Sequence, residues 1–244
     1  MEGLFLAGSH GKGTADQFSD IDLVAVTDAD HHAALAARWR PILETIVPIV
    51  FWNTVPGTTV SNAVAEDWTR CDLVLTTPKD FSRRSKADVK PLLDRTGLYD
   101  TLPEALPPRT PDIARIRYLI HEFIRVLGLL PVVIGRGEYL VAVKGTELQR
   151  DHLIGLLKES ARPPARGGML HLSKDLPSDQ IAMLEALPYP RPVRDEVIAA
   201  HVAIAAAFLP RARALASELA IEWPERFEAA TRRRLREDLD LDVG

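Results

Sequence analysis

The stretch Gly8-Ser9-His10-Gly11-Lys12-Gly13-Thr14-Ala15-Asp16-Gln17-Phe18-Ser19-Asp20-Ile21-Asp22-Leu23 constrains the fold more than any other part of the chain. The apolar run Leu4-Phe5-Leu6-Ala7 before it reads as a buried strand, and Ile21 to Val26 as the next strand. A glycine-rich loop joins them. Asp20 and Asp22 are two residues apart, so strand geometry puts both carboxylates on one face while Ile21 and Leu23 point the other way into the core. Adjacent carboxylates repel each other unless a cation joins them. Hard oxygen donors of this kind suit Mg²⁺, which commonly takes one or two carboxylates plus substrate phosphates. The loop supplies the complementary half: glycines let the backbone turn sharply and come close, and exposed N–H groups with a hydroxyl can hold phosphate oxygens. Gly8, Ser9, Lys12 and Ser19 are the candidate phosphate-binding positions, with Asp20 and Asp22 the candidate metal ligands. The loop is not a Walker P-loop, because Gly13 separates Lys12 from Thr14. Nor is it a Rossmann fingerprint, since its spacing is G-x-x-G-x-G.

Gly-Ser, then Gly-Thr-Ala, then Ser-Asp-Ile-Asp-Leu on the following strand resembles the signature of the DNA polymerase β-like nucleotidyltransferase superfamily. The resemblance runs without a gap from Gly8 to Leu23. It implies an α+β chain: a small mixed-sheet nucleotidyltransferase domain followed by an all-helical domain. It also implies Mg²⁺ as cofactor and a nucleoside triphosphate, ATP, as co-substrate. In proteins resembling this one a helix usually precedes the first strand; here the strand begins almost at Met1, so either the helix is lacking or the start has been trimmed.

The 244 residues are enough for one or two domains. The formal net charge of −4 argues against a general nucleic-acid binder and is compatible with a cationic small substrate. The lone Cys71 excludes an intrachain disulfide framework and a cysteine-based metal cluster, and its apolar surroundings suggest a core thiol. With no signal-peptide pattern and no apolar run read as long enough to span a bilayer, the expected location is the cytoplasm, with no membrane partner.

Asp28 and Asp30 are expected to N-cap a helix over 31–47, with His31 and His32 in its first turn. Strands are expected over 48–53, 60–65 and 89–94, the last at a sheet edge, with a turn at Pro56-Gly57. Asp72 is polar inside what reads as a central strand, where an unpartnered carboxylate would be costly. Placement beside Asp20 and Asp22 would explain it. Superfamily members generally carry a third acidic residue on such a strand, and the resemblance carries that role to Asp72, as metal ligand or as the base that takes the acceptor proton. The alternative is an ion pair with Arg70 on the same face, and Glu66 is the second candidate for the base. Ser82 to Lys86 reads as a solvated basic loop from which Lys86 or Arg83 could reach a triphosphate. Proline-rich 102–111 has the look of a boundary, giving domains 1–108 and 109–244.

Beyond it the period becomes helical. Ile113, Ile116, Ile120, Phe123, Ile124 and Leu127 line one face of a helix ending near Gly128. Further helices are expected over 139–161, with Pro163-Pro164 and Gly167-Gly168 breaking it, then over 178–187, 194–219 with a kink or break at Pro210, and 224–238. Arg232 to Arg236 is expected as a solvated basic face. His121-Glu122-Phe123 and Gly135-Arg136-Gly137-Glu138-Tyr139, with Ala142, resemble the streptomycin 6-adenylyltransferase branch, which has Glu-Phe on one helix, then Arg-x-Glu and an alanine on the next. That resemblance marks Glu122, Arg136 and Glu138 as candidate acceptor-binding residues, with interhelical ion pairs or caps as the alternative. Carboxylates there would suit the ammonium groups of an aminoglycoside-like antibiotic. The expected activity is Mg²⁺-dependent AMP transfer from ATP to a hydroxyl of a small acceptor. The alternatives are a toxin–antitoxin nucleotidyltransferase acting on a protein or RNA, and a nucleotide-binding regulator.

Overall fold

The structure, a computed structural model, describes residues 1–162 and 172–243. The chain divides into two compact units, Met1–Pro107 and Pro108–Gly244. The first holds β1 (Gly3–Leu6), α1 (Gly8–Lys12), β2 (Ile21–Val26), α2 (His32–Glu44), β3 (Ile49–Thr54), β4 (Val60–Ala65), β5 (Arg70–Thr76), α3 (Pro78–Phe81) and β6 (Lys90–Asp94). The six strands form one mixed sheet in the order β3-β4-β5-β2-β1-β6. β2 and β5 run parallel, in a register that sets Asp22 opposite Asp72; β2 pairs antiparallel with β1.

Strand alternation sends the two halves of each central strand to different cores. Leu23, Ala25, Leu73 and Leu75 pack with Trp39 and Leu43 of α2 on one face. Phe5, Val24 and Val26 pack with Phe81, Val89 and Leu102 on the other, where the Phe5 and Phe81 ring centroids are 4.3 Å apart. Each fully buried Leu, Val or Phe among them contributes about 1.5–3 kcal/mol. The carboxylates share the Val24 face, by parity, at the end where this core gives way to solvent.

The helix after β2 differs from expectation at its start. A 3₁₀ turn, Ala29–His31, leads into α2, and neither Asp28 nor Asp30 caps through its side chain. The His31 N–H bonds the Asp28 backbone carbonyl, 3.0 Å away, so the turn is closed by the main chain. His31 is exposed, whereas His32 is half-buried with Nε2 3.2 Å from the Thr27 carbonyl. Cys71 is half-buried, and burial with the nearby charges of Asp72 and Asp22 pushes its thiol up to about 11.

The second unit is helical: α4 (Ile113–Gly128), α5 (Leu130–Gly135), α6 (Tyr139–Ala161), α7 (Leu172–Asp175), α8 (Ser178–Ala186), α9 (Arg194–Glu218) and α10 (Glu225–Leu239). The apolar face of α4 is buried as its period predicts, with Ile116, Ile120, Phe123, Ile124 and Leu127 in the core beside Leu153, Ile204 and Phe208. The Phe123 and Phe208 rings stack at 3.8 Å. Two helical stretches, Ile113–Gly135 and Arg194–Glu218, are long and apolar enough by composition to cross a membrane, which corrects the sequence reading. About half of each is buried inside this unit, as in the core helices of a globular bundle.

Two buried carboxylates pin the unit. Glu159 accepts from Arg109 at 3.2 Å and from the Asp112 N–H at 3.1 Å. Glu228 accepts from Trp223 Nε1 at 2.6 Å and Arg232 Nη2 at 2.6 Å, and pairs with Arg213. Arg232 therefore turns inward to a buried acid rather than joining a solvated face. α9 continues through Pro210 without a break; in that turn Arg211 donates to the Ala207 carbonyl at 2.8 Å. α5 is an extra short helix, with Pro131 in its first turn. The breaker sequence Pro163-Pro164 and Gly167-Gly168 lies outside the described residues.

Candidate active site

Three half-buried carboxylates meet at the ends of β2 and β5. Asp20, Asp22 and Asp72 each offer an oxygen, and these atoms lie within 4.8 Å of one another. Parallel pairing is the cause: Asp22 and Asp72 are register partners on adjacent strands, and Asp20 precedes Asp22 by one period. Burial, then the charges of Asp20 and Asp72, raise the Asp22 carboxyl above its ordinary value, while Arg84 and His10 act weakly the other way. A group of hard oxygen donors that the protein leaves mutually repelling fits a divalent cation.

Asp20 also faces Arg70, with Nη1 3.8 Å from Oδ2, and Arg70 donates to the Phe18 carbonyl at 2.8 Å. The Arg70–Asp72 pair suggested by strand parity is replaced by this one. Ile21 is opposite Cys71, so Asp20 falls beside Arg70 across the strands, about 5 Å away, whereas residues i and i+2 of one strand are about 7 Å apart.

The loop expected between β1 and β2 opens as a one-turn helix. The Gly11 N–H bonds the Ala7 carbonyl at 2.7 Å, and Gly13, at φ +71°, ends α1. Gly8 sits at φ +53°, and a Cβ there would lie 1.8 Å from Asp22 Oδ2. The turn is thus laid directly against the carboxylates, which only glycine permits. The Ser9 hydroxyl, on a half-buried residue, has no hydrogen-bond partner among the described residues. Lys12 pairs with Asp88 at 3.8 Å. Ser19 is taken up locally: its hydroxyl accepts the Asp16 N–H at 2.9 Å and donates to Asp16 Oδ1 at 3.1 Å.

Glu66 is exposed at the β4–β5 hairpin, while Asp72 pairs with Asn62. Four residues of strand, about 13 Å, separate that register position from Glu66. The structure does not bring Glu66 to the cluster. Arg83 and Lys86 form surface pairs with Asp80 at 3.4 Å and Glu104 at 2.8 Å. Arg84, which the sequence reading passed over, is half-buried and close enough to Asp22 and Asp88 for their charges to act on it.

The candidate acceptor residues lie in the second unit. Glu122 is held by Arg125 one turn on, with Nη2 2.7 Å from Oε2, which lowers its carboxyl pKa. Arg136 follows α5 and Glu138 precedes α6, both exposed. Tyr118 meets His152, and Val126 lies near Gly145, so α4 and α6 run antiparallel. Glu122 is therefore level with a point about ten residues along α6 from Glu138, roughly 15 Å away. The two carboxylates are not brought together. The interhelical pair offered as an alternative is not seen for Glu122, whose partner is on its own helix.

Residues 2–56 match the family model of the nucleotidyltransferase domain. That span contains the whole Gly8–Leu23 signature and lies within the first unit. No curated protein sequence matches the chain. Among solved structures, the chain is similar to an aminoglycoside 6-adenyltransferase from Bacillus subtilis, at 16% identity and a TM-score of 0.49, covering 95% of this chain and 90% of that one.

Proposed function

Taking a nucleotidyltransferase domain as the premise, we propose that this enzyme moves AMP from ATP to a hydroxyl of a small cationic acceptor of the aminoglycoside type, in the cytoplasm, with release of pyrophosphate. The observation that carries the reading is the convergence of Asp20, Asp22 and Asp72 within 4.8 Å against the Gly8–Ser9 turn. Asp20 and Asp22 would hold Mg²⁺, with Asp72 as the third carboxylate. When bound, the metal supplies Lewis-acid stabilisation of the charge that develops around the α-phosphate. The Gly8–Ser9 turn, with the Ser9 hydroxyl, holds phosphate oxygens. The acceptor class is supported by the sequence resemblance at His121–Phe123 and Gly135–Tyr139, where the exposed Glu138 suits an ammonium group. The direct test is incubation with ATP, Mg²⁺ and a panel of hydroxylated antibiotics, read as a mass gain of one AMP. No gain with any member, in a chain that binds ATP, would overturn the acceptor class.

Asp72 is assigned the base role, because Glu66 is remote and Asp20 and Asp22 with phosphate oxygens supply most ligands of a Mg²⁺ ion. Asp72→Asn is then expected to lose the acidic limb of the rate–pH profile, with no recovery at higher Mg²⁺. Recovery by Mg²⁺ would make Asp72 a metal ligand instead. Ser9→Ala is expected to weaken binding of a non-hydrolysable ATP analogue by about 1.5–3 kcal/mol, the contribution of a hydrogen bond to a charged group. Calorimetry checks this, and an unchanged affinity would place the triphosphate elsewhere.

A further inference from the structure

The segment after α3 is clamped to the back of the glycine turn. Phe81 packs on Phe5, and the Arg84 N–H bonds the Phe81 carbonyl at 3.0 Å. Ser85 is buried and donates to Asp88 Oδ2 at 2.5 Å. Val89 is fully buried. A Cβ at Gly11 would come within 2.6 Å of the Asp88 carbonyl oxygen, so this backbone and α1 are in direct contact. The clamp delivers two cations. Lys90 is opposite Leu6 in the β1–β6 register, and its Nζ lies 3.4 Å from where a Cβ on Gly13 would be. Arg84 is half-buried within reach of the charges of Asp22 and Asp88.

The basic residues around them are engaged: Lys12 with Asp88, Arg83 with Asp80 and Lys86 with Glu104. Lys90 and Arg84 have no hydrogen bond or ion pair from their side chains among the described residues. A half-buried guanidinium with no hydrogen bond is costly, and the Lys90 ammonium stands at the Gly13 end of the glycine turn, where it can meet a polyanion. Resting on the nucleotidyl-transfer reading above, we propose that Lys90 and Arg84 are the phosphate-neutralising cations of the nucleotide site, contributed from beyond the Gly8–Leu23 signature. In the transfer, the acceptor oxygen forms a bond to the α-phosphorus and its proton passes to a carboxylate. The bond from the α-phosphorus to the bridging oxygen breaks, and that oxygen leaves on pyrophosphate with the electron pair. Lys90 and Arg84 balance the negative charge gained by the leaving group.

The test is calorimetric binding of ATP, AMP and pyrophosphate to the full chain with Mg²⁺ and no acceptor, with thermal melts to confirm folding. Lys90→Met and Arg84→Met are each expected to weaken ATP and pyrophosphate by about tenfold or more while AMP changes less than about twofold. Lys90→Arg should retain most of the ATP affinity. Unchanged ATP affinity in both variants, or equal losses for ATP and AMP, would overturn the assignment, and a loss in one variant alone would overturn it for the other residue. Wild-type chain that binds ATP beside unaffected variants removes only these two cations. Wild-type chain that binds neither ATP nor pyrophosphate removes the nucleotidyl-transfer reading itself.

Discussion

Asp22→Asn is expected to lower AMP transfer on the order of 10³-fold or more, the scale on which preorganised charge stabilisation acts, and to raise the melting temperature in chelator at neutral pH. The two effects have one cause. Burial and the charges of Asp20 and Asp72 hold the Asp22 carboxyl above its ordinary value of 3.8. The folded chain therefore binds this proton more tightly than the unfolded chain. Its contribution favours the fold below the ordinary value and is lost as the pH rises through the raised value. At neutral pH without a cation, Asp22 is a net cost to the fold, which Asn does not carry. Mg²⁺ should raise the melting temperature of the wild-type chain and leave that of Asp22→Asn nearly unmoved. The advantage of the variant in chelator should shrink as the pH falls toward 4. Retained activity would remove the metal assignment. A variant less stable than wild type in chelator would show that the three carboxylates are not in conflict.

Gly8→Ala is the second large effect, and it separates function from fold. The added Cβ would fall 1.8 Å from Asp22 Oδ2 and 2.8 Å from Asp22 Cγ. The carboxylate can swing away, so the collision is relieved by displacing a candidate metal ligand. Holding alanine at φ +53° costs roughly 1–2 kcal/mol more. The variant is expected to fold, with a modestly lower melting temperature, and to lose about 100-fold or more in rate, as misplacement of a reacting group by about 1 Å does. Gly11→Ala should behave in the opposite way. Its Cβ would meet the backbone oxygens of Asp88 and Leu6 at 2.6 and 2.8 Å, and these cannot rotate out of the way. Stability should fall more there than at Gly8. Melting curves and rates on the two variants together check the pair; full activity in Gly8→Ala would show that the turn does not press on Asp22.

Much of the geometry of the candidate site was readable in advance because it depends on short-range rules. Period two placed Asp20 and Asp22 on one face. A polar Asp72 within an apolar strand needed a partner, and the β2–β5 register supplies it. The apolar face of α4 followed from period 3.6 alone. The readings that failed were those in which a side chain chooses between partners distant in sequence. Arg70 took Asp20 rather than Asp72 because cross-strand neighbours are closer than i,i+2 neighbours. Arg232 looked like one charge in a basic run until α10 packing presented Glu228 to it. Glu66, four strand positions from the Asp72 register, was near in sequence and far in space.

The sequence by itself determined that this chain builds a strand, a glycine turn and a second strand with paired carboxylates, because backbone geometry and alternation are local. Only the tertiary structure decided what else surrounds that turn. Arg84 and Lys90 carry no motif and lie more than sixty residues beyond the signature; they reach the site because β6 pairs with β1 and because Phe81 is buried on Phe5. Which segments lie together in a sheet is set by burial summed over the whole unit, and no window of sequence contains that sum.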